Sequence, residues 1–181
     1  EAIASRLRRA APRHLIATGE EGAGLDDVDG EHLVASPRAG AAMDFRRNTA
    51  AVDLASVHLY PETWRWPPGS FADAGAEWIR SRARAAAESG RPLFLGEFGL
   101  RNDGLPLAER RRVYQRWLAT AQSDAHVAGA ASWSFSTDDR PDAWDHFTWY
   151  LRDGTAVDAE ENRYADLHRD WARRFTDPVD G

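Results

Sequence analysis

Carboxylates occur in this chain where an α/β protein does chemistry. Foremost is Glu97, in Arg91-Pro92-Leu93-Phe94-Leu95-Gly96-Glu97-Phe98-Gly99. A short apolar run bounded by Pro and Gly reads as a buried parallel strand. Glu97 falls at the C-terminal end of that strand, the edge where barrels and open α/β sheets place their reacting groups. It is a candidate catalytic group. The same position also suits a carboxylate that caps a loop or pairs with an arginine. Glu20 and Glu21, in Thr18-Gly19-Glu20-Glu21-Gly22, follow the short apolar stretch 14–17 and put carboxylates at a second strand end.

A third strand, residues 53–60 (DLASVHLY), ends in His58-Leu59-Tyr60-Pro61. Strand alternation turns His58 and Tyr60 to one side. An imidazole and a phenol at such an edge can hold a nearby carboxylate or a sugar hydroxyl, although a strand histidine also occurs as a satisfied core group. Eight tryptophans are the compositional outlier. Trp78, Trp117 and Trp171 lie on apolar faces of helix-like stretches and belong to packing. Trp64, Trp66, Trp133, Trp144 and Trp149 fall at strand ends or in loops, where an indole either anchors the loop or stacks on a flat apolar face such as a sugar ring.

The elements that must position these groups follow from periodicity. Residues 2–11 read as the tail of a helix, with Ile3 and Leu7 on one face, stopped by Pro12. Residues 22–42 are loop-like. Asp27-Val28-Asp29-Gly30 hints at a calcium loop, but that register puts Leu25 first and Ser36 twelfth, so the EF-hand pattern fails. Residues 43–51 read as a short helix. Pro67-Pro68-Gly69 breaks the chain, and Ser70 is a candidate N-cap for a helix reaching Ser89 with Gly90 as its C′ residue. Its inward face would be Phe71, Gly75, Trp78, Ile79, Arg82, Ala83, Ala86 and Ala87. After the Glu97 strand, residues 106–124 form a helix with Leu107, Val113, Tyr114, Trp117, Leu118 and Ala121 inward. Residues 127–135 are a further strand. Residues 138–155 form a polar and aromatic loop with a short hairpin through 147–150, and residues 160–175 form a last helix.

Regular strand-helix alternation implies parallel strands with right-handed crossovers. No glycine-rich phosphate motif follows the first strand. A complete (β/α)8 barrel takes about 250 residues, so the four β/α units in 181 residues make an open sheet or half of a barrel. The net charge of -6 argues against a nucleic-acid or anionic-membrane surface. The absence of cysteine removes disulfide and thiol chemistry. No apolar run has the length of a membrane span, and residues 1–13 are polar and helix-like, unlike a signal peptide.

In order along the chain, Thr18-Gly19-Glu20-Glu21-Gly22, Met43-Asp44-Phe45-Arg46-Arg47-Asn48, Ser56-Val57-His58-Leu59-Tyr60-Pro61-Glu62-Thr63-Trp64, Pro92-Leu93-Phe94-Leu95-Gly96-Glu97-Phe98-Gly99 and Gly129-Ala130-Ala131-Ser132-Trp133 resemble the C-terminal half of a glycoside hydrolase family 5 enzyme. The endo-β-1,4-mannanases of that family are the nearest in pattern. The resemblance spans nearly the whole chain and implies strands five to eight of a (β/α)8 TIM barrel, with residues 1–181 a single partial catalytic domain.

By that resemblance, Glu97 matches the catalytic nucleophile ending strand seven. His58 and Tyr60 match the strand-six pair that flanks the −1 sugar and orients the nucleophile. Trp133 matches the indole under that sugar, and Trp64 an aromatic near the cleft. Glu20 or Glu21 matches an acid of strand five. The implied reaction is retaining hydrolysis of internal β-1,4-mannosidic bonds by double displacement, with neither metal nor organic cofactor. The family draws its acid/base from an Asn-Glu pair ending strand four, and no Asn-Glu pair occurs here. The resemblance therefore implies an N-terminal half on the same polypeptide or a complementary chain. It implies β-mannan or a related polysaccharide as partner, and extracellular action. Two alternatives remain at this point: a related β-glucanase or exo-mannosidase, and a half-barrel that binds sugar or a partner chain without turnover.

Overall fold

The computed structural model describes residues 2–25, 44–136, 146–152, 155–156 and 159–176. The Asp27-Gly30 segment, Trp144 and most of the expected loops 22–42 and 138–155 lie outside them. The elements in chain order are α1 (Ala2–Ala10), α2 (Phe45–Ala50), β1 (Ala55–Leu59), α3 (Phe71–Glu88), β2 (Leu93–Phe98), α4 (Leu107–Ser123), β3 (Val127–Ser132), β4 (Phe135–Ser136), β5 (Trp149–Arg152), β6 (Thr155–Ala156) and α5 (Ala159–Thr176).

β1, β2 and β3 form one parallel sheet in sequence order, with α3 and α4 as the crossovers. The expected first strand, 14–17, joins β1 by a single parallel bridge, Ala17 to Leu54. Asp53 anchors this join from the side. Its carboxylate accepts the Ile16 N–H at 3.0 Å and the Arg8 guanidinium of α1 at 3.0 Å. The strand expected at 127–135 is interrupted at Trp133-Ser134, and only Phe135-Ser136 resumes, in a second small sheet. There β4 pairs parallel with β5, and β5 antiparallel with β6, so the hairpin sits slightly later than 147–150.

The helices bury the faces their periodicity marks. Phe71, Gly75, Trp78, Ile79, Arg82, Ala83 and Ala86 of α3 are buried, as are Val113, Tyr114, Trp117, Leu118 and Ala121 of α4. On the sheet, Val57, Leu59, Leu93, Leu95 and Phe98 are buried in the same core. Each such side chain removed from water contributes roughly 1.5–3 kcal/mol. The start of α3 differs from the expected N-cap. Ser70 has helical dihedrals because a 3-10 turn, Pro68–Ser70, precedes it, and its hydroxyl donates back to the Pro67 carbonyl instead of accepting from the helix. At the other end Gly90 takes φ +66° and donates to the Ala87 carbonyl, closing the helix as expected.

α3 and α4 touch where glycine leaves room for tryptophan. The Trp117 indole lies against Gly75 and donates to the Phe71 carbonyl at 2.9 Å. A Cβ on Gly75 would overlap the indole ring. Alanine gains about 1 kcal/mol of helix propensity over glycine, but overpacking of a filled core costs about 1–3 kcal/mol, and the rigid indole cannot retreat without losing its hydrogen bond. Gly75→Ala is therefore expected to lower stability by up to about 2 kcal/mol, read as a lower denaturant midpoint with an unchanged m-value; a higher midpoint would contradict this packing.

Candidate active site

The geometry of the site begins with an irregularity in β2. Val57 of β1 is opposite Leu95, but His58 is opposite Glu97, so the ladder skips Gly96. On the other side Leu95 is opposite Ala130 and Phe98 opposite Ser132, a slip of one residue over the same stretch. In a regular strand Glu97 would share the helix-facing side of Leu95. The extra residue re-aims it, as a β-bulge does, and Glu97 joins His58 and Tyr60 on the sheet's other face.

Three side chains meet there. The Tyr60 hydroxyl donates to Glu97 Oε2 at 2.6 Å. His58 Nδ1 lies 3.0 Å from Glu21 Oε1 and 3.7 Å from Glu97 Oε2, so one imidazole nitrogen faces two carboxylates. Burial and the Glu97 carboxylate raise the Tyr60 pKa far above a free phenol's, which keeps Tyr60 a proton-bearing donor. Burial opposes a charge on His58, but the Glu21 hydrogen bond and the negative charges of Glu21 and Glu97 outweigh it, so its pKa is raised. Gly99 lets these groups approach, since a Cβ there would meet Tyr60, Phe147 and the Trp133 carbonyl at 2.9–3.1 Å. Phe147 packs edge-on against Tyr60 with centroids 5.3 Å apart.

The structure separates the two adjacent glutamates. Glu21 reaches His58. Glu20 is buried, and its Oε2 accepts from Asn48 of α2 at 3.0 Å. Burial raises the Glu20 pKa despite the Asn48 and Thr18 hydrogen bonds. One oxygen of each, Glu20 Oε1 and Glu21 Oε2, is buried with no hydrogen-bond partner among the described residues.

The tryptophans also divide. Trp133, just after β3, is 43% exposed, and its backbone N–H donates to the Phe98 carbonyl at 2.9 Å, which sets this residue's backbone beside the end of the Glu97 strand. Trp64 does not reach the cleft. It is 3% exposed, packed against Trp66 and Trp78 at centroid separations of 5.4 and 4.9 Å. The turn after β1 folds it back, with Trp64 N–H bonded to the Tyr60 carbonyl and Trp66 N–H to that of Pro61. Trp149 is likewise buried, beneath the Arg110 guanidinium.

Two contributors were not singled out from sequence. Gly96 is the slip residue, and a glycine inside a strand is a known signal for a bulge. Glu62 accepts the Arg101 N–H at 2.6 Å and so ties the turn after β1 to the turn after β2. Its pKa is raised by burial.

Parallel strands with crossover helices gather a carboxylate, a phenol and an imidazole at their C-terminal ends, the edge where (β/α)8 barrels and open α/β sheets place their sites. The chain belongs to glycosyl hydrolase family 5: the family model described as cellulase (glycosyl hydrolase family 5) matches residues 1–139. Mannan endo-1,4-beta-mannosidase A of Aspergillus aculeatus is 30% identical over 128 residues, covering 69% of this chain and 30% of that protein. Mannan endo-1,4-beta-mannosidase F of Aspergillus fumigatus is 32% identical over 146 residues, covering 77% of this chain and 30% of the relative. The endo-beta-1,4-mannanase of Thermotoga petrophila superposes with a TM-score of 0.76 at 23% identity, over 99% of this chain and 39% of that one, a likeness of fold. This chain thus spans about a third of the curated relatives it matches. Among the described residues no helix is long and apolar enough to cross a membrane.

The His58–Glu21 pair makes stability depend on pH. Folding raises the His58 pKa above its unfolded value near 6.5, so the folded state binds the proton more tightly. This contribution is fully present below pH 6.5 and is lost as pH rises through the folded-state pKa. Buried His168, its pKa pushed down to about 4, gains stability with pH over the lower part of this range, so the pair is read by difference: the gap in denaturant midpoint between the unaltered chain and Glu21→Gln should shrink as pH rises from 5.5 to 9. An equal slope in the variant would show that the pair does not carry the effect.

Proposed function

We propose that this chain is the C-terminal half, strands five to eight, of a retaining endo-β-1,4-mannanase. The 2.6 Å bond from Tyr60 to Glu97, at the mouth of parallel strands and beside the Glu21–His58 pair, is the observation that carries the reading. The mannan endo-1,4-beta-mannosidase relatives support mannan over other β-glycans.

Glu97 is the nucleophile. Its free oxygen attacks the anomeric carbon of the −1 sugar while Tyr60 and His58 hold the other. The glycosidic C–O bond breaks, and the leaving oxygen takes a proton from a second carboxyl group. Water then attacks the anomeric carbon of the covalent glycosyl-enzyme, its proton passes to that second group and the bond to Glu97 breaks, which restores Glu97 as a carboxylate and the second group as an acid. Trp133 offers the exposed indole against which the sugar stacks. Trp64 is assigned to packing, and Glu21, not Glu20, faces the reacting groups.

Retention requires the two carboxyl groups to be about 5–5.5 Å apart. The second carboxyl is proposed to lie on the remaining strands, contributed by the same polypeptide or by a complementary chain. A polysaccharide substrate supports action outside the cell.

In the polypeptide as its gene encodes it, Glu97→Gln should lower kcat on mannan by roughly 10⁴-fold or more, with the fold retained by circular dichroism. The unaltered polypeptide should prefer mannan and glucomannan over cellulose. Preference for cellulose would replace the substrate assignment by a β-glucanase. Sugar binding without turnover in the unaltered protein would replace it by a binding module.

A further inference from the structure

The expected inward face of α3 contains a buried arginine. Arg82 is 1% exposed. Its Nε donates to the Gly22 carbonyl at 3.0 Å, and its guanidinium carbon lies 3.3 Å from the centroid of the Trp78 ring. Trp78, one turn earlier on the same face, donates Nε1–H to the His58 carbonyl at 3.0 Å. The two side chains thus form one stacked unit, and it grips the backbone at two places. One is the residue after Glu21; the other is His58 itself. Between these grips the His58 N–H approaches the Glu21 carbonyl at 3.4 Å, and the two side chains meet at 3.0 Å.

The turn held by Arg82 is a tight one. Gly22 takes φ +90°, a conformation that side chains rarely adopt, and a Cβ there would meet Val57 Cγ1 at 2.7 Å. Its position is therefore set from two directions, by Val57 of β1 and by Arg82 of α3. Ser81 adds a further hold, since its hydroxyl accepts from Arg82 Nη1 at 2.7 Å and donates to the Trp78 carbonyl at 3.0 Å.

We propose that Arg82 and Trp78 are positioning residues, which fix the Glu21–His58 contact from behind the sheet without touching substrate. The inference rests on the reading of His58 as a partner of Glu97. The groups facing the His58 ring are Glu21 from the 20–22 turn, Glu97 from β2 and Tyr60 from its own strand. From α3, Arg82 and Trp78 meet backbone carbonyls here, those of Gly22 and His58. A change in Arg82 therefore reaches His58 by moving Glu21, not by altering the charge in contact with the ring.

The test is an NMR titration of the His58 ring in the full polypeptide carrying isotope-labelled histidine, which needs no turnover. Arg82→Lys keeps the charge but loses the planar donor and the stack. It should lower the His58 pKa, in the same direction as Glu21→Gln and by no more. In the double variant the effects should not add, because both act through one contact. Trp78→Phe, which keeps a ring and removes the donor, should give a shift of the same sign and serves if Arg82→Lys does not fold. An unshifted His58 in these variants, with only a lower melting temperature, would overturn the proposal. So would a shift that persists undiminished in the Glu21→Gln background. Loss of mannan hydrolysis with an unshifted titration would leave the function reading intact and remove only the positioning role.

Discussion

The site depends on one extra residue in β2. Parallel pairing alone would place every second side chain of 93–98 on the helix-packed face, and Glu97 would follow Leu93 and Leu95 into the core. A carboxylate buried among aliphatic side chains is costly unless it is paired. The slip at Gly96 takes Glu97 out of that series and returns Phe98 to the core, where it is 1% exposed. One irregularity therefore serves both ends of the strand's design. The hydrophobic layer stays continuous, and a charge is delivered beside Tyr60 and His58.

Once Glu97 is delivered, the electrostatics are arranged around a single imidazole. Two carboxylates on one face repel, and a group with a raised pKa between them eases the repulsion. Tyr60 adds a donor that stays protonated over the whole working range. The phenol, the imidazole and both carboxylates reach this face from three segments: β1, β2 and the 20–22 turn. Their alignment is a tertiary property, held by Asp53 at the start of β1 and by α3 at its middle.

Much of this was legible in the sequence because it depends on period and punctuation. Pro92 and Gly99 bracket β2, and the helical faces of α3 and α4 repeat with the spacing that buries them, so strand order and crossovers followed. His58 and Tyr60 could be placed on one side from alternation alone. What escaped was local departure from period. Alternation cannot reveal a slip, so the route by which Glu97 meets His58 was hidden even though its partners were named. Trp64 was misplaced for a related reason: a turn after β1 reverses the chain, and composition does not say which way an indole then points. Glu20 and Glu21 are adjacent and chemically alike, and only the positions of Asn48 and His58 separate a carboxylate facing α2 from one facing the site.

The choice of residue at 82 follows from the same logic. Its neighbours on the inward face of α3 are Trp78, Ile79, Ala83 and Ala86, and an aliphatic side chain there would fill space at no electrostatic cost. Burying a guanidinium costs several kcal/mol before its contacts offset it. Those contacts include a carbonyl, a hydroxyl and the face of an indole, all fixed in direction. Dispersion and burial are nondirectional and cannot hold a turn in register, whereas a planar donor fork can. A helix that only had to cover the sheet would not need such a group. A helix that must also set where Glu21 stands relative to His58 does, and this is why the cation sits in the core, one turn from the tryptophan that holds the His58 carbonyl.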